Sequence, residues 1–250
     1  MPEASLTRRA DLLREQLAHL PLGGRALPGG ALPTRVGVTG TGDDLLVLAW
    51  SPEDLAREVA AGARVLRRLG VAPAMRVANT LPGALATPGA LLLGDVVEEI
   101  GGLDVPLGTI DSDASARGAW ELVDRVQVEV LVLDDTSGPR LLAAMPAGDR
   151  PWWRGIVWRR LGRSLGASAP AGFAGWQRSW LAVPEVASFV AHSCASGRYH
   201  VDEGVAAEVV DGTLLLTRRD GAPLRYVTDV HATAATCSCG TVGVALEVRS

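Results

Sequence analysis

The sequence predicts an α/β fold with a largely parallel sheet, followed by a smaller β-rich unit. Three observations predict it. Through about residue 135, short apolar strand runs alternate with amphipathic helical stretches, the texture of strand–helix–strand crossover units. From residue 204 onward the pattern changes to short strands broken by turn pairs at Asp211-Gly212 and Asp220-Gly221. Near the junction the chemistry changes too: all three cysteines, Cys194, Cys237 and Cys239, lie in the last quarter of the chain, with His200 shortly after the first. The expected division is an N-terminal arm at 1–34, an α/β core at 35–190 and a β-rich, zinc-binding subdomain at 191–250.

Taken in order, residues 6–20 form a short amphipathic stretch ahead of a Gly-, Pro- and Ala-rich segment at 21–33, together a loose arm. Residues 47–50 have strand character. The run Ser51, Pro52, Glu53, Asp54 then opens a helix, with serine at the cap, proline at the first position and acids in the first turn. Leu55, Val59, Ala63 and Leu66 share one face of it, and Gly70 ends it. Residues 76–80 read as a second strand, 83–100 as a tightly packed small-residue helix, and 104–106 as a third strand. Residues 115–126 make another amphipathic helix, with Trp120, Val123 and Val126 toward the core, and 128–133, apolar except at Glu129, form a strand ending at Asp134 and Asp135. The arginines within 152–163 read as a solvated basic face.

Composition narrows the function classes. A 250-residue chain that is 48% hydrophobic can bury a sizeable core. Its net charge of -4 argues against a nucleic-acid partner. Neither a signal peptide nor an apolar run near the ~20 residues needed to cross a bilayer is evident, so a cytoplasmic protein without a membrane partner is expected. Three cysteines do not pair off as a disulfide framework, which favours thiols in a reducing compartment. All 24 basic residues are arginine. Schiff-base and general-base lysine chemistry is therefore excluded, because arginine stays protonated near neutral pH.

Cysteine thiolates and imidazole are zinc ligands, and Cys194, His200, Cys237 and Cys239 can supply all four corners of a tetrahedron with no position left open. A saturated site of that kind cross-links loops rather than carrying out chemistry. It would pin the segment at 194–200 to the one at 237–239.

Several motifs follow one another in order: GRYHVDE at 197–203, EVVDG at 208–212, LLT at 215–217, PLRYVTD at 223–229 and CSCG at 237–240. This series resembles the phenylacetate coenzyme A ligase branch of the adenylate-forming (AMP-binding) enzymes. Upstream, 54–70, 77–79, 94–101 and 105–106 resemble the helix, strand and glycine-rich helix after that family's phosphate loop. The resemblance implies an adenylate-forming N-terminal core, a structural zinc at the four Cys/His positions, and a nucleotide site in which Thr39, Gly40 and Thr41 stand in the phosphate loop and Asp229 on the ribose hydroxyls.

The departures from that pattern are chemical. Where the family carries a loop of the form SSGTTGKP, this chain reads VTGTGDDL at 38–45, with carboxylates in place of the lysine. Carboxylates beside a triphosphate are repulsive unless a cation intervenes. The acidic residue of the family's magnesium-binding segment falls on Arg178. The central segment is short, and the mobile C-terminal domain of the family is expected to be absent. Together these replacements speak against ATP or AMP as a working cofactor. The expected function is therefore ATP-independent action on, or binding of, a small acyl or aromatic biosynthetic intermediate by cyclisation, condensation or hydrolysis. His192, Asp134 and Glu185 are the candidate acid–base groups, and Trp176, Trp180 and Phe189 are candidates for an aryl pocket. A non-catalytic partner protein and a residual AMP-binding ligase are the alternatives. A core this short leaves surfaces that favour a homodimer.

Overall fold

The structure, a computed structural model, describes residues 6–20, 32–82, 88–161, 173–219, 224–241 and 244–249. The expected turn at Asp220-Gly221 lies outside them, as do most of the 21–33 segment and the start of the 83–100 helix.

The elements begin with β1 (Leu6–Thr7), α1 (Arg9–Ala18), β2 (Arg35–Thr39), a 3-10 turn (Gly42–Asp44), β3 (Leu46–Trp50) and α2 (Pro52–Leu69). They continue with β4 (Arg76–Asn79), α3 (Pro88–Leu91), α4 (Leu93–Ile100), β5 (Leu103–Pro106), α5 (Asp113–Val126), β6 (Val130–Leu133), α6 (Gly138–Ala143) and β7 (Gly155–Leu161). The rest is strand: β8 (Trp176–Val183), β9 (Ala187–Ser193), β10 (Tyr199–Val201), β11 (Val205–Val210), β12 (Thr213–Arg218), β13 (Arg225–Ala235) and β14 (Ala245–Arg249).

One mixed sheet runs through the molecule in the order β11-β12-β13-β14-β10-β9-β8-β7-β6-β4-β5, with β1 added beside β13. Neighbours from β5 to β8 are parallel, and β8 and β9 are antiparallel. The sequence boundary expected at 190/191 falls inside β9, which is hydrogen-bonded to β8 on one side and β10 on the other. β2 and β3 form a separate antiparallel hairpin, so the strand expected at 47–50 is not part of the parallel sheet.

Helix limits follow local chemistry. The Ser51 side chain accepts from the Asp54 amide at 3.1 Å, while the Asp54 carboxylate accepts from the Ser51 amide, closing a reciprocal cap on α2. Gly70, at φ +104°, ends that helix in the left-handed conformation. Ser112 caps α5 in the same way through Ser115.

Alternation along the parallel strands sorts the core onto two faces. Val77, Val130, Val132 and Val157 pack with Leu66 of α2 and Val97 of α4. Ala78, Leu131, Leu133 and Trp158 pack with Trp120 and Val123 of α5. A third cluster joins Leu12 of α1 and Leu46 of β3 to Leu181, Val190, Leu214, Tyr226 and Leu246. Each buried Val or Leu among them contributes about 1.5–3 kcal/mol by burial.

The basic face expected at 152–163 is corrected by β7 at two of its arginines, while Arg154 stays 60% exposed and Arg163 lies outside the described residues. Arg159 is 4% exposed and pairs with Asp134 at 3.1 Å; Arg160 pairs with Asp135 at 2.8 Å and lies over the Trp158 ring. Alternation along a strand buried on both faces, invisible in the charge pattern, turned these cations inward against the aspartates that end β6.

Gly62 sits inside α2, where alanine would favour the helix by about 1 kcal/mol. A Cβ there would meet Val96 Cγ2 at 2.6 Å and Phe189 Cε2 at 2.8 Å. Gly62→Ala is expected to lower stability by about 1–2 kcal/mol despite the better propensity, and an unchanged or raised melting temperature would show that the α2–α4–β9 contact has room to spare.

Candidate functional site

The four Cys/His residues expected to act together do meet. Cys194 follows β9, and His200 stands in β10, which pairs with β9 through Tyr199 and Ser193. Cys237 and Cys239 stand between β13 and β14, and β14 pairs with β10 through Ala245 and His200. Gly197, at φ +76°, turns the chain back so that the Cys194 amide donates to the Arg198 carbonyl at 2.9 Å. The sheet register therefore delivers three chain segments to one place.

Their ligand atoms all lie within 4.8 Å of one another. Cys194 Sγ is 3.6 Å from Cys237 Sγ, and Cys239 Sγ is 3.2 Å from His200 Nε2. Tetrahedral zinc, with bonds of about 2.0–2.3 Å, sets neighbouring ligand atoms roughly 3.3–3.8 Å apart. Burial opposes ionisation of Cys194, but hydrogen bonds from Ser196 and His200 outweigh it and lower the thiol to about 6. The group is thus prepared as a thiolate donor. His200 is 1% exposed with Nε2 toward Cys239, whereas Cys239 is exposed. Geometry and donor chemistry fit a metal ion held at the rim of the sheet.

A second constellation forms around the turn at 38–45. Thr39, Gly40 and Asp44 line a cavity of about 620 Å³ together with Glu185, Tyr226, Thr228 and Asp229. Thr41, expected to act with Thr39 and Gly40, does not line it. The centre of this constellation is Arg9, the first residue of α1, to which nothing in the sequence pointed. Its Nε donates to both Asp44 carboxylate oxygens at 2.8 and 2.9 Å. Nη2 donates to the carbonyls of Thr39 at 2.8 Å and Asp44 at 2.5 Å, and Nη1 donates to the Glu185 carboxylate. One guanidinium thus serves two carboxylates and two carbonyls, which the planar fork of arginine permits and a lysine ammonium does not. Gln16 holds α1 in place by accepting from the Val47 amide and donating to the Leu45 carbonyl.

Gly40 is the residue that admits Arg9. At φ +84°, a Cβ would lie 2.1 Å from the Asp44 carbonyl oxygen and 2.3 Å from Arg9 Nη2. Glu185 stands between β8 and β9 with its side chain 8% exposed. Burial raises its carboxyl above the usual range, with Arg9 acting in the opposite direction. Burial, followed by the charge of Glu185, likewise pushes the Tyr226 hydroxyl up. Arg178, where the family's acidic residue was expected, lies in β8 and donates to the Gln177 carbonyl. Glu185, farther along the chain, lines the cavity together with the acidic residues Asp44 and Asp229.

The three acid–base candidates do not converge. Glu185 lies in the large cavity. His192 is 5% exposed in β9 beside His200, at a ring-centroid distance of 5.7 Å, and burial followed by the charge of His200 lowers its imidazole to about 4. Asp134 accepts from the amides of Thr136 and Ser137 at 3.0 and 2.8 Å and pairs with Arg159. The candidate aryl pocket is core: Trp180 and Phe189 are fully buried and stacked at 5.6 Å, and Trp176 packs over Gly70 and Gly155.

No protein-family model matches the sequence, and no curated protein matches it. Solved structures do match in fold. An open conformation of 2-hydroxyisobutyryl-CoA ligase in complex with 2-HIB-AMP and CoA superposes with TM-score 0.78 at 16% identity, over 96% of this chain and 62% of that one. The inhibitor-bound N-terminal domain of FACL13 from Mycobacterium tuberculosis superposes with TM-score 0.65 at 14% identity, over 93% and 63%. The amide bond synthetase McbA from Marinactinospora thermotolerans gives TM-score 0.57 at 17% identity, over 85% and 48%. The chain thus has the fold of the N-terminal domain of adenylate-forming ligases and spans about three-fifths of the length of the first two. No helix among the described residues is long and apolar enough to cross a membrane.

The donor set leads us to expect close to one equivalent of zinc per chain by elemental analysis. Chelation and Cys237→Ser are each expected to lower the melting temperature by at least about 5 °C, as loss of a metal cross-link between loops requires. Less than about half an equivalent of metal, or a Cys237→Ser protein that melts like the parent, would count against a structural metal.

Proposed function

We propose that this chain is a ligase-like protein that binds, or transforms without ATP, a small acyl or aromatic biosynthetic intermediate, and that a structural zinc ion braces its β-rich half. The observation that carries the first part is Arg9. The 2-hydroxyisobutyryl-CoA ligase that shares this fold holds 2-HIB-AMP and CoA. Here the turn expected to receive phosphate directs two carbonyls and the Asp44 carboxylate at a guanidinium, with a second carboxylate, Glu185, on its far side. A triphosphate entering this place would have to displace Arg9 from four acceptors and then face those acceptors itself. A preformed pocket of about 620 Å³ remains beside it, large enough for a small organic ligand. Glu185 is the acid–base group best placed to meet such a ligand.

Because Asp134 and Glu185 are both tied into ion pairs, a binding role is favoured over a catalytic one unless the ligand frees Glu185 from Arg9. A second reading, residual AMP binding, is favoured by the presence of Thr39, Gly40 and Asp229 around the same cavity.

Calorimetry with Mg·ATP and with AMP separates these readings. No heat with either nucleotide is expected; heat with AMP alone would support the second reading, and saturable heat with ATP would overturn the proposal. Arg9→Ala leaves Glu185 and Asp44 without their shared cation and is expected to cost about 2–3 kcal/mol of stability without creating ATP affinity. An Arg9→Ala protein that gains ATP binding would instead identify Arg9 as a plug over an intact phosphate site.

A further inference from the structure

A separate cavity of about 300 Å³ opens between α2, the end of β9, the start of β11, Thr241 and Val244. Its walls carry Arg64, Arg68, His192, Asp202, Glu203, Arg219 and Thr241, over an apolar lining that includes Val201, Val205 and Val244. The charges do not cancel. Arg64 is committed to both acids: Nη2 to Asp202 Oδ2 at 2.7 Å, Nε to Asp202 Oδ1 at 3.2 Å, and Nε to Glu203 Oε1 at 3.3 Å. Asp202 also accepts from the Gly204 amide at 3.2 Å. That leaves Arg68 and Arg219 at the mouth, and neither has an ion pair among the described residues.

The deeper wall has an unmet requirement of its own. His192 is 5% exposed, and its Nδ1 is a buried polar atom without a hydrogen-bond partner. Buried polar groups in folded proteins are nearly always satisfied, by protein, water or ligand. Two exposed cations, a buried nitrogen without a partner and three valines lining one cavity fit an anion that carries an apolar body. A bare inorganic anion would satisfy the rim and leave the valines without a function.

We propose that this cavity binds a small organic carboxylate, with its carboxylate held between Arg68 and Arg219 and its apolar body along Val201, Val205 and Val244 toward His192. The site goes beyond the reading given above, since it lies apart from Arg9 and the turn at 38–45. Arginine suits the task because its fork can meet both oxygens of a carboxylate.

The test is calorimetric titration of the full, metal-replete chain with hexanoate and benzoate at fixed ionic strength, alongside hexanamide and inorganic phosphate. Binding of at least one of the two carboxylates is expected, with affinity reduced about tenfold or more in the Arg68→Gln/Arg219→Gln protein and unchanged in Arg9→Ala. The two arginines are exposed, so the double variant is expected to melt like the parent, which keeps a loss of binding interpretable. The proposal is overturned if neither carboxylate binds at about 10 mM, if hexanamide binds as well as hexanoate, if phosphate binds as tightly as the carboxylates, or if the double variant binds undiminished. If only Arg9→Ala loses the carboxylate, the ligand occupies the large cavity, which would support the function proposed above and sink this site.

Discussion

The reversal of direction between β8 and β9 is the constraint on which both cavities and the Cys/His cluster depend. On the β8 side the sheet is parallel and sheathed by helices; on the β9 side it continues antiparallel and carries the thiols. The turn that makes the reversal holds Glu185 against Arg9, and the far end of β9 presents His192 and then Cys194. Trp180 faces His192 across the ladder, and His200 faces it from the next strand. A slip of one residue in this ladder would invert every side chain along β9. It would separate Cys194 from its partners and move His192 out of its wall. The buried stack of Trp180 and Phe189 against α2 fixes that register.

Much of this was legible in the sequence. Ser51, Pro52 and Gly70 bracket α2 because their chemistry is local, and the apolar run at 130–133 becomes a parallel strand because burial on both faces demands continuous hydrophobicity. The Cys/His set was readable because few other residue types compete for that pattern. Arg9 was not. Its role depends on contacts with residues 39, 44 and 185, and nothing near it in the chain marks it. Arg159 and Arg160 were misread for the same reason: a charge run says nothing about which strand face it will occupy or which aspartates wait there. The aryl-pocket reading failed on a related ambiguity, since aromatic side chains look alike in sequence whether they fill a core or line a cavity.

An arginine-only cation set shapes the interior. Arg9, Arg64 and Arg159 each join elements distant in sequence through carboxylates, and Arg9 and Arg64 serve two carboxylates each. Guanidinium keeps its charge when buried and spreads it over a plane, so such junctions stay ionic at depths where an ammonium would tend to lose its proton. Polar ties of this kind add little net stability compared with apolar replacements, but breaking one side leaves a buried charge uncompensated. They therefore act chiefly on which arrangement forms.

Gly40 carries a consequence for how the turn can change. With no side chain there, Arg9 reaches the carbonyls of Thr39 and Asp44, and the Asp44 carboxylate closes over it. A lysine at position 44 would set a second cation against Arg9 while removing the carboxylate that holds it. A change at Arg9 alone would strand Glu185 and Asp44. Neither single step between this turn and a lysine-bearing one is favourable, so helix α1 and the turn form an epistatic pair that must change together.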